Sequence, residues 1–119
     1  MQGEFLKLKS TVKFADVKIK KSFEALKTSK TEDKQLYEFI NRAIDDLEKD
    51  AFIGSQVPKK LIPKEYIKEY KIDNLWKYDL PSGWRLLYSV VGDEVTVLSI
   101  IIEWMTHKNY EKRMGYKKR

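Results

Sequence analysis

The chain has 119 residues, 42% of them apolar and 35% charged, a length and balance that suit one globular domain with a densely charged surface. It holds no cysteine and a single histidine, which excludes disulfides, thiol catalysis, zinc fingers and any histidine-rich metal site. The net charge of +6, from 24 Lys and Arg against 18 Asp and Glu, favours a polyanionic partner such as RNA, or an acidic protein.

No apolar run reaches the roughly 18 residues of a membrane span. Residues Met1 to Lys9 mix Glu4, Lys7 and Lys9 with Phe5 and Leu6, and lack the apolar centre of a signal peptide. The expectation is a cytoplasmic protein that needs neither cofactor nor metal. It comprises one domain over residues 1–119, with 1–9 as an N-terminal extension and 117–119 as a basic tail. From Lys108 onward, Lys108, Lys112, Arg113, Lys117, Lys118 and Arg119 face the single acid Glu111.

Thr11 to Ala15 alternates apolar and polar residues and reads as a short first strand. Asp16 is placed to cap a helix in which Ile19, Phe23 and Leu26 fall at i, i+4 and i+7. Residues 28–31 break that pattern, and Ser29 with Glu32 reads as a capping box for a second helix. There Leu36, Ile40, Ala43, Ile44 and Leu47 make one apolar stripe, predicted to end near Gly54 as its C-terminal cap. The stretch from Gln56 to Asp73 is punctuated by Pro58 and Pro63 and is lysine-rich. Pro63 opens a helical turn through Lys64 and Ile67.

Three strands follow: Leu75–Leu80, Trp84–Val91 and Glu94–Trp104. Pro81-Ser82-Gly83 and Gly92-Asp93 join them as short hairpin turns. Residues Thr106 to Met114 read as a last short helix. The order β-α-α-β-β-β-(α) predicts an α+β fold, a two-helix hairpin packed on one face of a mainly antiparallel, twisted sheet.

A two-residue loop at Gly92-Asp93 sets Val91 opposite Glu94, Ser89 opposite Thr96 and Leu87 opposite Leu98. A three-residue loop at Pro81-Ser82-Gly83 sets Asp79 opposite Arg85. Alternation along the strands then gives a core face of Trp76, Tyr78, Leu80, Trp84, Leu86, Tyr88, Val90, Val95, Val97 and Ile101. The other face carries Lys77, Asp79, Arg85, Leu87, Ser89 and Thr96, and is expected to be polar and free of helices. Two cations fixed on a rigid sheet suit a phosphate site.

The run Asn74-Leu75-Trp76-Lys77-Tyr78, the turn Pro81-Ser82-Gly83 and the strand Trp84-Arg85-Leu86-Leu87-Tyr88 resemble the RelE/ParE toxin superfamily. The ending Glu103-Trp104-x-x-His107-Lys108-x-Tyr110-Glu111-Lys112-Arg113 looks like that of its RelE- and HigB-like members. With the strand-helix-helix beginning, the resemblance covers about residues 10–116. It implies a toxin held by an antitoxin, acidic to suit this basic chain. The family's nucleases cut mRNA on the ribosome without a metal, through attack of the ribose 2′-hydroxyl on the adjacent phosphate. In that scheme Arg85 stabilises the developing charge, His107 acts as general acid or base, Lys77 assists, and Tyr110 stacks on a base. Arg113, Lys64, Lys68 and Lys108 are the expected RNA contacts. Tyr78 stands where some of these nucleases have arginine, and Glu65, Glu69, Lys64 and Lys68 are the candidates for a general base.

Plainer readings stand beside these. Arg85 has a cross-strand ion pair with Asp79 open to it, Tyr110 has packing, and Trp76 and Trp84 belong to the core. The family also contains gyrase-poisoning ParE toxins on the same fold, and an inactive member that only binds antitoxin or nucleic acid would keep the same surface.

Overall fold

A computed structural model describes residues 7–92 and 96–115. Asp93, Glu94, Val95 and the tail Lys117–Arg119, which entered the expectations above, lie outside the described residues, as does most of the N-terminal extension. Within them the chain forms an α+β fold. Its elements run β1 (Thr11–Phe14), α1 (Val17–Leu26), α2 (Thr31–Lys49), β2 (Ser55–Gln56), α3 (Lys64–Tyr70), β3 (Trp76–Asp79), β4 (Trp84–Gly92), β5 (Val97–Thr106) and α4 (His107–Arg113). The sheet is open and mixed, in the order β1-β5-β4-β3-β2. Only β1 runs parallel to its neighbour β5; the other pairs are antiparallel. Among the described residues no helix is long and apolar enough to cross a membrane.

The helical hairpin follows from the apolar stripe. Asp16 caps α1 by accepting from the Ile19 amide at 2.9 Å. Leu36, Ile40, Ala43 and Leu47 of α2 are buried against Leu80, Leu86, Tyr88 and Ile101 of the sheet. Each large side chain withdrawn from water contributes on the order of 1.5–3 kcal/mol. Trp76, Tyr78, Trp84 and Val90 pack around them half-buried. Phe23 fixes α1 on this layer by stacking on Tyr37, ring centroids 4.6 Å apart.

Two local expectations change. The capping box is absent: Lys30 occupies the cap of α2 without a side-chain bond, and Ser29 Oγ instead donates to Asp33 at 2.7 Å. The acids Glu32 and Asp33 in the first turn serve the exposed amides electrostatically. Gly54 is not the cap of α2, which ends at Asp50. It is small because the chain passes directly over β3, where an added Cβ would stand 2.3 Å from the Lys77 carbonyl oxygen. Tyr88 holds the same segment, its hydroxyl donating to Ala51 O at 2.8 Å and accepting from Gly54 N at 3.1 Å.

The largest correction concerns the second sheet face. It is not free of helices, because α3 and α4 cover it and build a second apolar core from Val57, Ile62, Tyr66, Leu87, Met105 and Tyr110, among others. The register of β4 on β5 also differs. Gly92 pairs with Val97, Val91 with Leu98 and Ser89 with Ile100, so the loop is longer than two residues. Tyr88 pairs with Ile101 but Leu87 with Glu103, and Ile102 is the extra residue of a β-bulge. The bulge puts Ile102 and Glu103 on the same face, toward α3 and α4, and returns Trp104 to the hairpin side. The register of β3 on β4 is the expected one, Asp79 opposite Arg85.

Two outcomes follow. Gly54→Ala forces backbone apart at β3 and should cost about 1–3 kcal/mol, read as a lower urea midpoint with unchanged m-value. Burial, reinforced by a hydrogen bond to Asp46, pushes the Tyr78 hydroxyl up to about 12, and burial with the nearby Asp50 charge does the same for Tyr88 against the Gly54 amide that donates to it. Both stay protonated in the fold where unfolded tyrosine, at 10.0, has ionised. Their contribution to stability is therefore fully present below pH 10 and should be lost as pH rises from 10 towards 12, measured by denaturant titration across that window.

Candidate functional site

The turn after β3 fixes the position of Arg85. Ser82 and Gly83 adopt left-handed conformations, φ 62° and 81°, and the Leu80 amide donates to Trp84 O at 2.8 Å, closing the hairpin in register. Arg85 stands on the face away from the α1–α2 hairpin, next to the end of β5 where α4 begins. Thr106 caps that helix through the Asn109 amide at 3.3 Å, which fixes His107 as its first residue.

The Arg85 guanidinium is the hub. One terminal nitrogen, Nη2, lies 2.8 Å from His107 Nδ1, and Nε lies 3.0 Å from Asp79 Oδ1. The same carboxylate oxygen is 3.0 Å from Lys77 Nζ. On its far side His107 presents Nε2 to Glu111 at 3.0 Å, one helical turn along. A guanidinium only donates, so Nδ1 must accept, and Nε2 carries the proton shared with Glu111. The contacts suit the tautomer with its proton on Nε2, held from both sides, and leave an edge of the ring exposed. The Arg85–Asp79 contact is an ion pair with poor hydrogen-bond angles, and Arg85 Nε is buried without a directed acceptor.

Arg85, His107 and Lys77 are thus brought together. The other expected residues are not. Tyr110 is 97% withdrawn from solvent inside the second core, so its ring offers no stacking surface; Lys77 Nζ lies over it at 6.0 Å. Arg113 turns to the opposite side of α4, above the Tyr66 ring at 5.6 Å, with Glu103 and Glu65 at 3.6 and 3.7 Å. Lys64 and Lys68 are exposed on α3 and Lys108 on α4, and none joins the network around Arg85. Glu65 belongs to Arg113 and Glu69 is exposed, so neither stands near Arg85 as a base.

Asp79 and Glu111 are the residues that sequence reasoning undervalued. Asp79 was visible only as a cross-strand partner of Arg85. Glu111 lies four residues after His107, a spacing that places the two on one helix face. Among the described residues no three acidic or histidine side chains converge as a metal-binding group. Comparison with known proteins adds no relative: no family model, curated protein or solved structure matches this chain.

The hydrogen-bond pattern has a direct spectroscopic consequence. Long-range 1H–15N spectra of the neutral imidazole should show Nε2 protonated and Nδ1 as a hydrogen-bonded acceptor. Arg85→Ala should shift Nδ1 to the position of a free acceptor; the opposite tautomer would contradict the network.

Proposed function

We propose that the chain is a ribosome-associated mRNA endonuclease of the RelE type, the toxin of a type II toxin–antitoxin pair. The arrangement of a helical hairpin on one sheet face, with strand arginine and terminal histidine on the other, supports this reading. One observation carries it. A guanidinium held on a β-strand touches an imidazole whose other nitrogen is held by a carboxylate, beside a lysine. That set contains the groups needed to move a 2′-hydroxyl proton and hold a charged phosphate.

On this reading the scissile phosphate meets Arg85 and Lys77, displacing the exposed Asp79 carboxylate and giving Arg85 Nε the acceptor it lacks. The Asp79 side chain is 58% exposed, so its carboxylate swings into water, and the phosphate takes over its place beside the two cations. Arg85 releases Nδ1 of His107, which takes the proton of the 2′-hydroxyl as its oxygen attacks phosphorus. Glu111 stabilises the imidazolium that forms, as a carboxylate does in other dyads. The P–O5′ bond breaks, the Lys77 ammonium gives a proton to the leaving 5′-oxygen, a 2′,3′-cyclic phosphate remains, and the His107 imidazolium returns a proton to the Lys77 amine through solvent. Arg85 stabilises the charge on phosphorus oxygens in the transition state, where fixed donors are most effective. No metal enters this scheme.

The exposed lysines Lys64, Lys68 and Lys108 supply a positive field for ribosomal RNA or for an acidic antitoxin in the cytoplasm. Induction of the wild type should arrest translation and produce new 5′ ends within coding sequence. Arg85→Ala and His107→Ala should each reduce cutting by 10²-fold or more while remaining folded. Glu111→Gln should give a smaller loss, and a 2′-deoxy nucleotide at the cut should block it. Intact mRNA accompanied by a DNA-damage response would replace this reading with gyrase inhibition.

A further inference from the structure

A cleft of about 620 Å³ opens between α3, α4 and the end of β5, within the size range of small-ligand sites. It adjoins the Arg85 cluster: Trp84 precedes Arg85, Thr106 precedes His107, and Met105 pairs across the strands with Arg85. Its charged walls are Glu65, Glu103, Lys112 and Arg113, two acids and two bases that cancel. A phosphate gains nothing from such a site, because the carboxylates repel it. A neutral ligand with both donors and acceptors fits. The half-buried rings of Trp84 and Trp104 add apolar surface.

The polar pair is oriented in advance. Tyr66 donates its hydroxyl to Glu103 Oε1, which holds the carboxylate in place. Arg113 lies on the Tyr66 ring, and its nitrogens stand 3.6 Å from Glu103 and 3.7 Å from Glu65, beyond hydrogen-bond distance. A carboxylate and a guanidinium therefore sit side by side, each with capacity left. Guanine is the base that presents two adjacent donors, N1–H and the 2-amino group, next to the acceptors O6 and N7. Adenine, cytosine and uracil each lack that double donor.

We infer that this cleft is a guanine-binding subsite, in which Glu103 accepts from N1–H and the 2-amino group while Arg113 donates to O6 and N7. The base binding stands by itself. Its use in reading a nucleotide beside the cut rests on the nuclease assignment.

The test titrates the intact protein with guanosine, inosine and adenosine, following tryptophan fluorescence. Guanosine should bind about 10-fold or more tightly than adenosine, with inosine, which lacks the 2-amino donor, between them. Glu103→Gln keeps an acceptor for Tyr66 but removes the double acceptor. It should weaken guanosine by about 5- to 150-fold and leave adenosine unchanged; Arg113→Gln should do likewise. Arg85→Ala should abolish mRNA cutting and retain guanosine binding, which separates the two assignments. Equal affinities for the three nucleosides, or guanosine binding indifferent to Glu103→Gln, would overturn the subsite even if mRNA is cut. Selective guanosine binding without mRNA cuts would sustain the subsite and defeat only the nuclease.

Discussion

The β-bulge at Ile102 is the constraint on which both the Arg85 cluster and the neighbouring cleft depend. Before it, β4 and β5 pair so that Tyr88 meets Ile101, and both face the helical hairpin. A regular continuation would set Trp104 opposite Arg85 and turn Glu103 and Met105 beneath the hairpin, where a carboxylate would be buried among Phe23, Ile40 and Leu86. Desolvating an unpaired charge there costs several kcal/mol. The extra residue shifts the phase by one. Glu103 then reaches Tyr66, Met105 packs under Tyr110, and β5 ends so that α4 starts beside Arg85.

The same phase shift makes the sheet two-sided. With α1 and α2 on one face and α3 and α4 on the other, β4 has little exposed surface along its middle: Leu86, Leu87, Tyr88 and Ser89 are all buried. Arg85, at the open end of the strand, is held by a backbone that is packed from both sides. That explains how an arginine shared between His107 and Asp79 keeps one geometry. The strand supplies its position, and the contacts with Asp79 and His107 select its rotamer.

What was legible in the sequence follows from periodicity. The α2 stripe and the Pro81-Ser82-Gly83 turn each satisfy a local rule, and both the helix and the Asp79–Arg85 register formed as those rules require. Ile101 was placed on the core face although its register was wrong, because the true pairing differs there by four residues and an even slip preserves the face. The bulge has no comparable local sign, since Ile100-Ile101-Ile102 is apolar throughout and fits either phase. Nor does the lysine-rich stretch before β3 announce a core element. The helical turn opened by Pro63 formed as α3, but seven residues are too few for an apolar stripe to emerge, and the buried Tyr66 is followed by Ile67, which is exposed. With no sign that this turn packs on the sheet, the second core was invisible, and Tyr110 and Arg113 were read as surface groups of one site. Their separation, one into the core and one to a different cleft, is tertiary information.

Charge is distributed in a way that divides labour. Lys77, Arg85, Asp79 and Glu111 cancel around His107, and Glu65, Glu103, Lys112 and Arg113 cancel around the neighbouring cleft. The excess of +6 therefore resides elsewhere, in lysines such as Lys59, Lys60, Lys64, Lys68 and Lys71, exposed on the segment from the turn before α3 to its end. A field of that kind attracts any polyanion and weakens with salt, whereas neutral, hydrogen-bonded clusters discriminate by geometry and respond little to ionic strength. On the proposed reading, association and selection are thus carried by different residues. Neutralising α3 should slow encounter without altering which bond is cut, while a change at Arg85 or His107 should alter chemistry without altering encounter.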